Sequence, residues 1–297
     1  DTGTSSSDRY TNNSSVNVSG LETGATWQYS IDTGKSWTAG SGSSFNVNPG
    51  SYAAGQVQVR QTDLAGNTSE ANTSFAAFTV DQSASAPSLA LAADTGTSSS
   101  DRYTNDNHIL VGDIESGARL WQYSLDSGLS WKPGFSNKGF IISPGPYAAG
   151  EVQVRQWDLA GNVSPANTSF AAFTVDQWAP SAPSLALAAD TGTSSSDRYT
   201  NNFSINVSGL ETGATWQYSI DTGKSWTAGS GSSFNVNPGS YAAGQVQVRQ
   251  TDLAGNTSAA NTSFAAFTVD PSAAAPSLAL AADTGTSSSD RYTNNSS

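Results

Sequence analysis

"LALAADTGTSSSD", residues 89–101, joins an apolar alternation to a polar, serine-rich loop, and the combination recurs along the 297-residue chain. Asp1-Thr2-Gly3, Asp94-Thr95-Gly96, Asp190-Thr191-Gly192 and Asp283-Thr284-Gly285 stand 93, 96 and 93 residues apart, and each is followed by TSSSDRYTN. A period of this length overrides the two-domain expectation from length alone. It divides the chain into repeats at 1–81, 82–176 and 177–270, with 271–297 as the linker and first strand of a fourth.

The middle copy shows the plan. "SLALA" (88–92) alternates Leu89 and Leu91 on one face, and "HILVG" (108–112) follows. "LWQYSLDSG" (120–128) places Trp121, Tyr123 and Leu125 at alternate positions, and "EVQVRQWD" (151–158) does the same with Val152 and Val154. "FAAFTVD" (170–176) sets Phe173 and Val175 on a common face. Two-residue alternation predicts half-buried strands, whereas "SPGPYAAG" (143–150) and "DLAGN" (158–162) carry turn chemistry. No ten-residue segment has a helical apolar period. The expected fold is therefore all-β: tandem immunoglobulin-like β-sandwich domains forming an elongated rod. A single propeller would need shorter repeats, of roughly 40 to 50 residues. The first repeat begins after its first strand. The fourth is a stub, expected either to be poorly ordered or to pair with the open edge of a neighbouring molecule.

Composition narrows the function. With 24 acidic against 12 basic residues the net charge is −12, which disfavours nucleic acid and anionic membranes and suits cations such as calcium. Cysteine and methionine are both absent, as suits a surface or secreted bacterial protein that avoids oxidisable side chains, a cysteine-free cytosolic protein being the alternative. No stretch approaches the roughly 20 apolar residues of a membrane helix. The chain reads as an interior piece of something longer.

Two motifs suggest enzymes, and the repeat argues against each. D-T-G is the local signature of an aspartic-protease loop, but that chemistry needs two aspartates sharing one proton inside one fold. Four copies on successive domains are instead expected to be polar loops. "SIDTGKSW" (30–37) satisfies S-x-D-x-G-x-x-W, the Asp-box of sialidases, and recurs at Ser124, Asp126, Gly128, Trp131 and at Ser219, Asp221, Gly223, Trp226. In those enzymes the box marks a hairpin remote from catalysis, so here Asp32 is expected to cap the turn, Gly34 to take a positive φ and Trp37 to pack on the next strand. His108 is the only histidine and is expected on a solvent-facing strand position. No catalytic residue is assigned.

Acidic turn residues remain. In an immunoglobulin-type topology the D-T-G loop and terminal "VD" of one repeat face the "DLAGN" and Glu-x-Gly turns of the next. The first junction then gathers Asp1, Asp8 and Asp81 with Asp158 and Glu115. The second gathers Asp94, Asp101 and Asp176 with Asp252 and Glu211. Calcium takes six to eight oxygens and would relieve the repulsion among such carboxylates. The alternative is that these aspartates simply cap turns while solvated.

The run A-P-S-L-A-L-A-x-D-T-G, W-Q-Y-S-x-D-x-G-x-S-W, V-Q-V-R-Q-x-D-x-A-G-N and F-x-V-D resembles the bacterial Ig-like repeats of giant, type-I-secreted adhesins of the Salmonella SiiE, Bap and RTX biofilm types. The resemblance covers essentially the whole chain. It implies an extracellular stalk whose domain junctions are stiffened by calcium. By resemblance the ligands are the D-T-G aspartates Asp94 and Asp190, the D-x-A-G-N aspartates Asp63, Asp158 and Asp252, and the terminal aspartates Asp81, Asp176 and Asp270. Asp197, the third repeat's counterpart of Asp8 and Asp101, joins the candidate set. The expected function is a structural extender, a monomeric rod whose partners are its own neighbouring repeats and which carries a distal adhesive domain for surface attachment and biofilm formation. The alternative is a glycan- or host-receptor-binding module. It would use Trp157, which replaces Thr62 and Thr251 on the face opposite Val152 and Val154, or Trp178 in a linker. Packing of either tryptophan against the adjoining domain is the expectation weighed against it.

Overall fold

A computed structural model describes residues 1–3, 5–118, 120–135, 139–282, 284, 286–289 and 291–294. Among them are 26 strands and no helix. Asp283 and Gly285 of the fourth D-T-G lie outside the described residues. The chain divides into two compact units. One comprises Asp1–Trp178 with Leu253–Asn256, and the other Ala179–Asp252 with the described residues from Thr257 onward. The first two repeats thus share a unit.

In the second repeat three small sheets surround the core. Ser88–Leu91 and Phe140–Ile141 flank His108–Gly112, and Lys132–Pro133 and Gln153–Trp157 flank Leu120–Ser124. In the third sheet Phe173–Val175 lies between Gly145–Tyr147, antiparallel, and Tyr103–Thr104, parallel. The expected alternation is present: Ile109, Val111, Trp121, Val154, Phe173 and Val175 are buried, with Leu89 and Leu91 packed against them. Burying each such side chain contributes about 1.5–3 kcal/mol. Tyr103–Thr104, Lys132–Pro133, Phe140–Ile141 and Gly145–Tyr147 are short strands beyond the five that alternation marks. Gly145–Tyr147, expected as a turn, pairs through Pro146 opposite Thr174. A proline is tolerated there because the strand is at the edge of its sheet.

In the second unit Ser184–Leu187, Ser204–Ser208 and Ser233–Asn235 form one sheet, Thr227–Ala228, Thr215–Ser219 and Gln247–Thr251 another, and Tyr199–Thr200, Phe267–Val269 and Gly239–Tyr241 a third. The first repeat departs in one place: among the described residues Ser15–Asn17 pairs with Ser44–Asn46 alone, in a two-stranded sheet. This all-β arrangement of small sheets is compatible with a β-sandwich. No strand follows Phe267–Val269 among the described residues.

Two local devices fix the second sheet of every repeat. Gly134 lies against the Trp121 ring, where an added Cβ would fall 2.1 Å from ring carbon, and Gly40 on Trp27 and Gly229 on Trp216 repeat the approach. The Asp-box is the other. Asp32 accepts from Ser36 N and from Ser30 Oγ, Gly34 N donates to Ser30 Oγ, and Gly34 has φ 78°. Trp37 donates its indole N–H to Gly34 O and carries Arg60 of strand Gln58–Thr62 over its ring at 4.0 Å. Hydrogen bonds hold the Asp32 carboxyl at about 2 against an ordinary 3.8. The Ser36 hydroxyl contributes most, then Ser36 N and Ser30. Asp126 and Asp221 are lowered to about 2 in the same way, chiefly by Ser130 and Ser225.

Gly134→Ala forces the Trp121 ring out of place, and denaturant unfolding is expected to show a loss of about 1–3 kcal/mol in the affected transition. The Asp-box sets an acid limit. Because the folded carboxyls titrate near 2 and the unfolded ones near 3.8, their contribution is complete above the higher value and is lost as pH falls through the lower one. Melting temperature measured against pH should fall across that window, and Asp→Asn at the three positions together should flatten the fall. An unchanged profile would count against the Asp-box as its source.

Candidate functional site

The D-T-G loop and the D-L-A-G-N turn meet inside the first unit. Thr2, held through Asn12 N to its Oγ1 at 2.7 Å, donates that hydroxyl to Ala160 O at 2.8 Å. Gly3 lies so close that an added Cβ would fall 2.2 Å from Leu159 O, and one on Gly161 would fall 2.7 Å from Gly3 Cα. Both glycines also have positive φ, 91° and 88°, so a side chain at either is excluded by conformation and by contact. Asn162 completes the joint. Its Nδ2 donates to Asp81 O at 2.7 Å and to Asp158 Oδ2 at 2.6 Å, which ties the terminal "VD" of the first repeat to the turn of the second.

The same set recurs in that unit with Leu253–Asn256. Thr95 Oγ1 donates to Ala254 O at 2.6 Å, and Asn256 Nδ2 donates to Asp176 O at 2.8 Å. A Cβ on Gly96 would fall 2.1 Å from Leu253 O. Ala160 and Ala254 are each 1% exposed.

Copies without a partner serve as controls. Gly66 and Gly192 have nothing within 4 Å of an added Cβ. Thr191 turns its hydroxyl to Asn201 Oδ1 at 3.0 Å, Asn67 donates to Asp63 Oδ2 at 2.9 Å, and Leu64 is 84% exposed. Each loop therefore has its own internal bonds: the docked Thr2 turns its hydroxyl to Ala160 O, and the docked Asn162 keeps its bond to Asp158 and adds one to Asp81 O. Neutral hydrogen bonds of this kind contribute about 0.5–1.5 kcal/mol each.

The predicted carboxylates are placed as follows. Asp1, Asp94 and Asp190 accept from Arg9 N, Arg102 N and Arg198 N, each bracing its own loop. Asp8, Asp101 and Asp197 accept from the amide two residues on, and so do Asp81, Asp176 and Asp270. Asp63 and Asp158 cap their D-L-A-G-N turns through the following asparagine. Asn67 holds the Asp63 carboxyl below its ordinary value. Glu115 accepts from Ser85 N in the preceding linker. Glu211 N is bound by Gln250 Oε1, and Asp252 is 7% exposed. The structure links Asp81 to Asp158 through Asn162, but it does not gather the five carboxylates expected at the first junction. Among the described residues no three His, Cys, Asp or Glu side chains converge as a metal-holding group. The physical reason is local: an aspartate two residues before a free amide closes an Asx turn on itself.

Three carboxylate oxygens are different. Asp8 Oδ2, Asp94 Oδ1 and Asp190 Oδ1 are buried with no hydrogen-bond partner among the described residues. Such an atom calls for a donor or a cation.

Arg155, on the same strand as Trp157, lies 5.1 Å over the Trp157 ring and 4.0 Å over that of Trp131. Residues two apart on a strand share a face, and this pairing follows from that. Trp178 is 65% exposed, and His108 is exposed with Nδ1 2.8 Å from Asp106 Oδ1. The contact that sequence reasoning missed is the glycine pair. Its only signal was that the glycines of D-T-G and A-G-N recur together. No family model matches the chain, and no curated protein matches it.

Gly161→Ala and Gly66→Ala share a left-handed strain of about 1–2 kcal/mol, but only the first meets a facing backbone. Scanning calorimetry of the two variants should show the larger loss for Gly161→Ala, with the first two repeats melting less cooperatively. Equal losses would mean that the joint adds nothing.

Proposed function

We propose that the chain is a structural extender, a tandem array of immunoglobulin-like β-sandwiches from the stalk of a giant bacterial surface adhesin, acting outside the cell to project a distal adhesive domain. The observation that carries this reading is the joint. Repeats present its halves, the D-T-G loop and the A-G-N turn, so units can be added without new chemistry. The immunoglobulin-like assignment is supported by a buried tryptophan in each core, Trp27, Trp121 and Trp216. It is supported also by a tyrosine hydroxyl that reaches back four residues, Tyr52 to Asn48 O, Tyr147 to Ser143 O and Tyr241 to Asn237 O.

Calcium has a limited place in this proposal. The residues that would hold it are the D-T-G-loop aspartates, Asp94 and Asp190 with Asp8 in the first copy, because these have carboxylate oxygens without donors. When bound, the ion supplies charge neutralisation and oxygen cross-linking within the loop. The loop's backbone contacts with the A-G-N turn are made by the chain itself. An excess of acidic residues, with net charge −12, favours cation uptake.

Calorimetry with calcium and with a chelator tests the ion, and energy transfer between dyes on the first and second repeats tests the stalk. A hundredfold excess of calcium over its Kd should add about 2.7 kcal/mol per site, reduced by Asp94→Asn with Asp190→Asn. The dye-distance distribution should be narrow and broaden with Gly161→Ala. Unchanged melting removes calcium from the proposal, and a broad distribution in the unaltered chain removes the stiff stalk.

A further inference from the structure

Asparagine followed two residues later by serine, with no proline between, recurs through all three repeats. This is the acceptor pattern for N-linked sugars, and the structure sorts its copies by what their side chains already hold. Asn72, Asn167 and Asn261 accept through Oδ1 from the hydroxyls of their own serines, Ser74, Ser169 and Ser263. Asn67 donates within its turn, and Asn162 and Asn256 donate across the joint. Their serines, Ser69, Ser164 and Ser258, give their hydroxyls to the next carbonyl. Asn13 and Asn202 close Asx turns on Ser15 N and Ser204 N. Asn294 accepts from Thr284, and Asn12 is half-buried.

Two copies remain open. Asn206 and Ser208 lie on the strand Ser204–Ser208, where residues two apart share a face. The spacing of the acceptor pattern thus coincides with the strand period, so asparagine and serine stand side by side. Both are exposed, while Ile205 and Val207 turn into the core. Neither polar side chain has a hydrogen-bond partner among the described residues. Their surroundings are small, with Ala186 opposite Asn206 on one side and Ser233 on the other. Asn17-Val18-Ser19 repeats the display in the first repeat: Asn17 and Ser19 are exposed, Val18 is buried, and Ser44 stands opposite Asn17. In the second repeat Leu110 and Gly112 take the two places, so the pair is missing there.

We propose that Asn206 and Asn17 are sites of N-linked glycosylation. The co-reactant is a glycosyl phosphate, either a nucleotide sugar or a lipid-diphosphate sugar, and a separate transferase supplies the catalytic groups. Asparagine Nδ2 bonds to the anomeric carbon and loses one proton to the transferase's base. The bond from that carbon to the phosphate oxygen breaks, and the phosphate leaves with the electron pair. A sugar on Asn162 would obstruct its bond to Asp81 O, whereas one on Asn206 extends from an open sheet face into solvent. The inference does not depend on calcium or on the stalk reading.

Glycopeptide mapping by electron-transfer mass spectrometry, on the chain isolated from the cells that make it, tests the assignment. Sugar is expected on Asn206 and Asn17. A single hexose identifies the nucleotide-sugar donor and an oligosaccharide the lipid-linked one. Asn206→Gln and, separately, Ser208→Ala should each abolish the sugar at position 206 while Asn17 stays occupied. Melting of the sugar-free chain should be the same with either substitution as without, which separates loss of the acceptor from loss of the fold. A bare asparagine at either position overturns the proposal, as does sugar on Asn206 that persists in Ser208→Ala. Equal occupancy of Asn162 or Asn167 also overturns it, because the exposed strand face would then select nothing.

Discussion

Two peptide backbones in contact leave no room for a side chain between them, and the link between repeats is built on that constraint. Gly3 lies on Leu159 O and Gly161 on Gly3 Cα, so the glycines of two separate motifs are required by each other. Threonine and asparagine then supply directed hydrogen bonds around the contact, from Thr2 to Ala160 O and from Asn162 to Asp81 O. Because the groups are neutral, the joint is far less sensitive to salt than an ion-paired one would be. The acidic residues nearby brace their own loops.

Within a repeat the edge strand plays the corresponding part. Leu89 and Leu91 separate a closed core, with Ile109 at 0% exposure, from an open one in which Phe75 is 39% exposed. Comparing repeats within one chain isolates the effect, since Val16 and Phe75 differ from their counterparts chiefly in lacking the strand above them. The joint and the edge strand sit in one continuous stretch, S-L-A-L-A-A-D-T-G, so one segment both completes its own domain and presents a face to another.

The long strands were legible in the sequence because alternation over four or five residues leaves a pattern, as at His108–Gly112 and Gln153–Trp157. Tyr103–Thr104, Lys132–Pro133 and Phe140–Ile141 were not, since two residues cannot display a period. The meeting of the D-T-G loop with the D-L-A-G-N turn followed from topology. Among the described residues no three carboxylates converge as a metal-holding group, and aspartates bond amides within their own loops, as Asp81 does Ser83 N and Asp8 does Tyr10 N. Counting charges in turns reveals their number and conceals their orientation. The glycine contact escaped because a residue without a side chain announces flexibility and proximity with the same letter.

One further feature bears on how such a repeat would carry load. Tyr103–Thr104, the strand after Ser88–Leu91 in the second repeat, runs parallel to Phe173–Val175 at its end, joined by Thr174 N to Arg102 O at 2.9 Å and Asp176 N to Thr104 O at 2.8 Å. Tyr10–Thr11 with Phe78–Val80 and Tyr199–Thr200 with Phe267–Val269 repeat the arrangement. Parallel strands pulled from opposite chain ends slide along one another, so their hydrogen bonds are strained side by side and must yield together. An antiparallel hairpin would unzip bond by bond. Each repeat thus carries a small parallel clamp on its last strand, and its resistance is set by the rate of forced rupture more than by equilibrium stability.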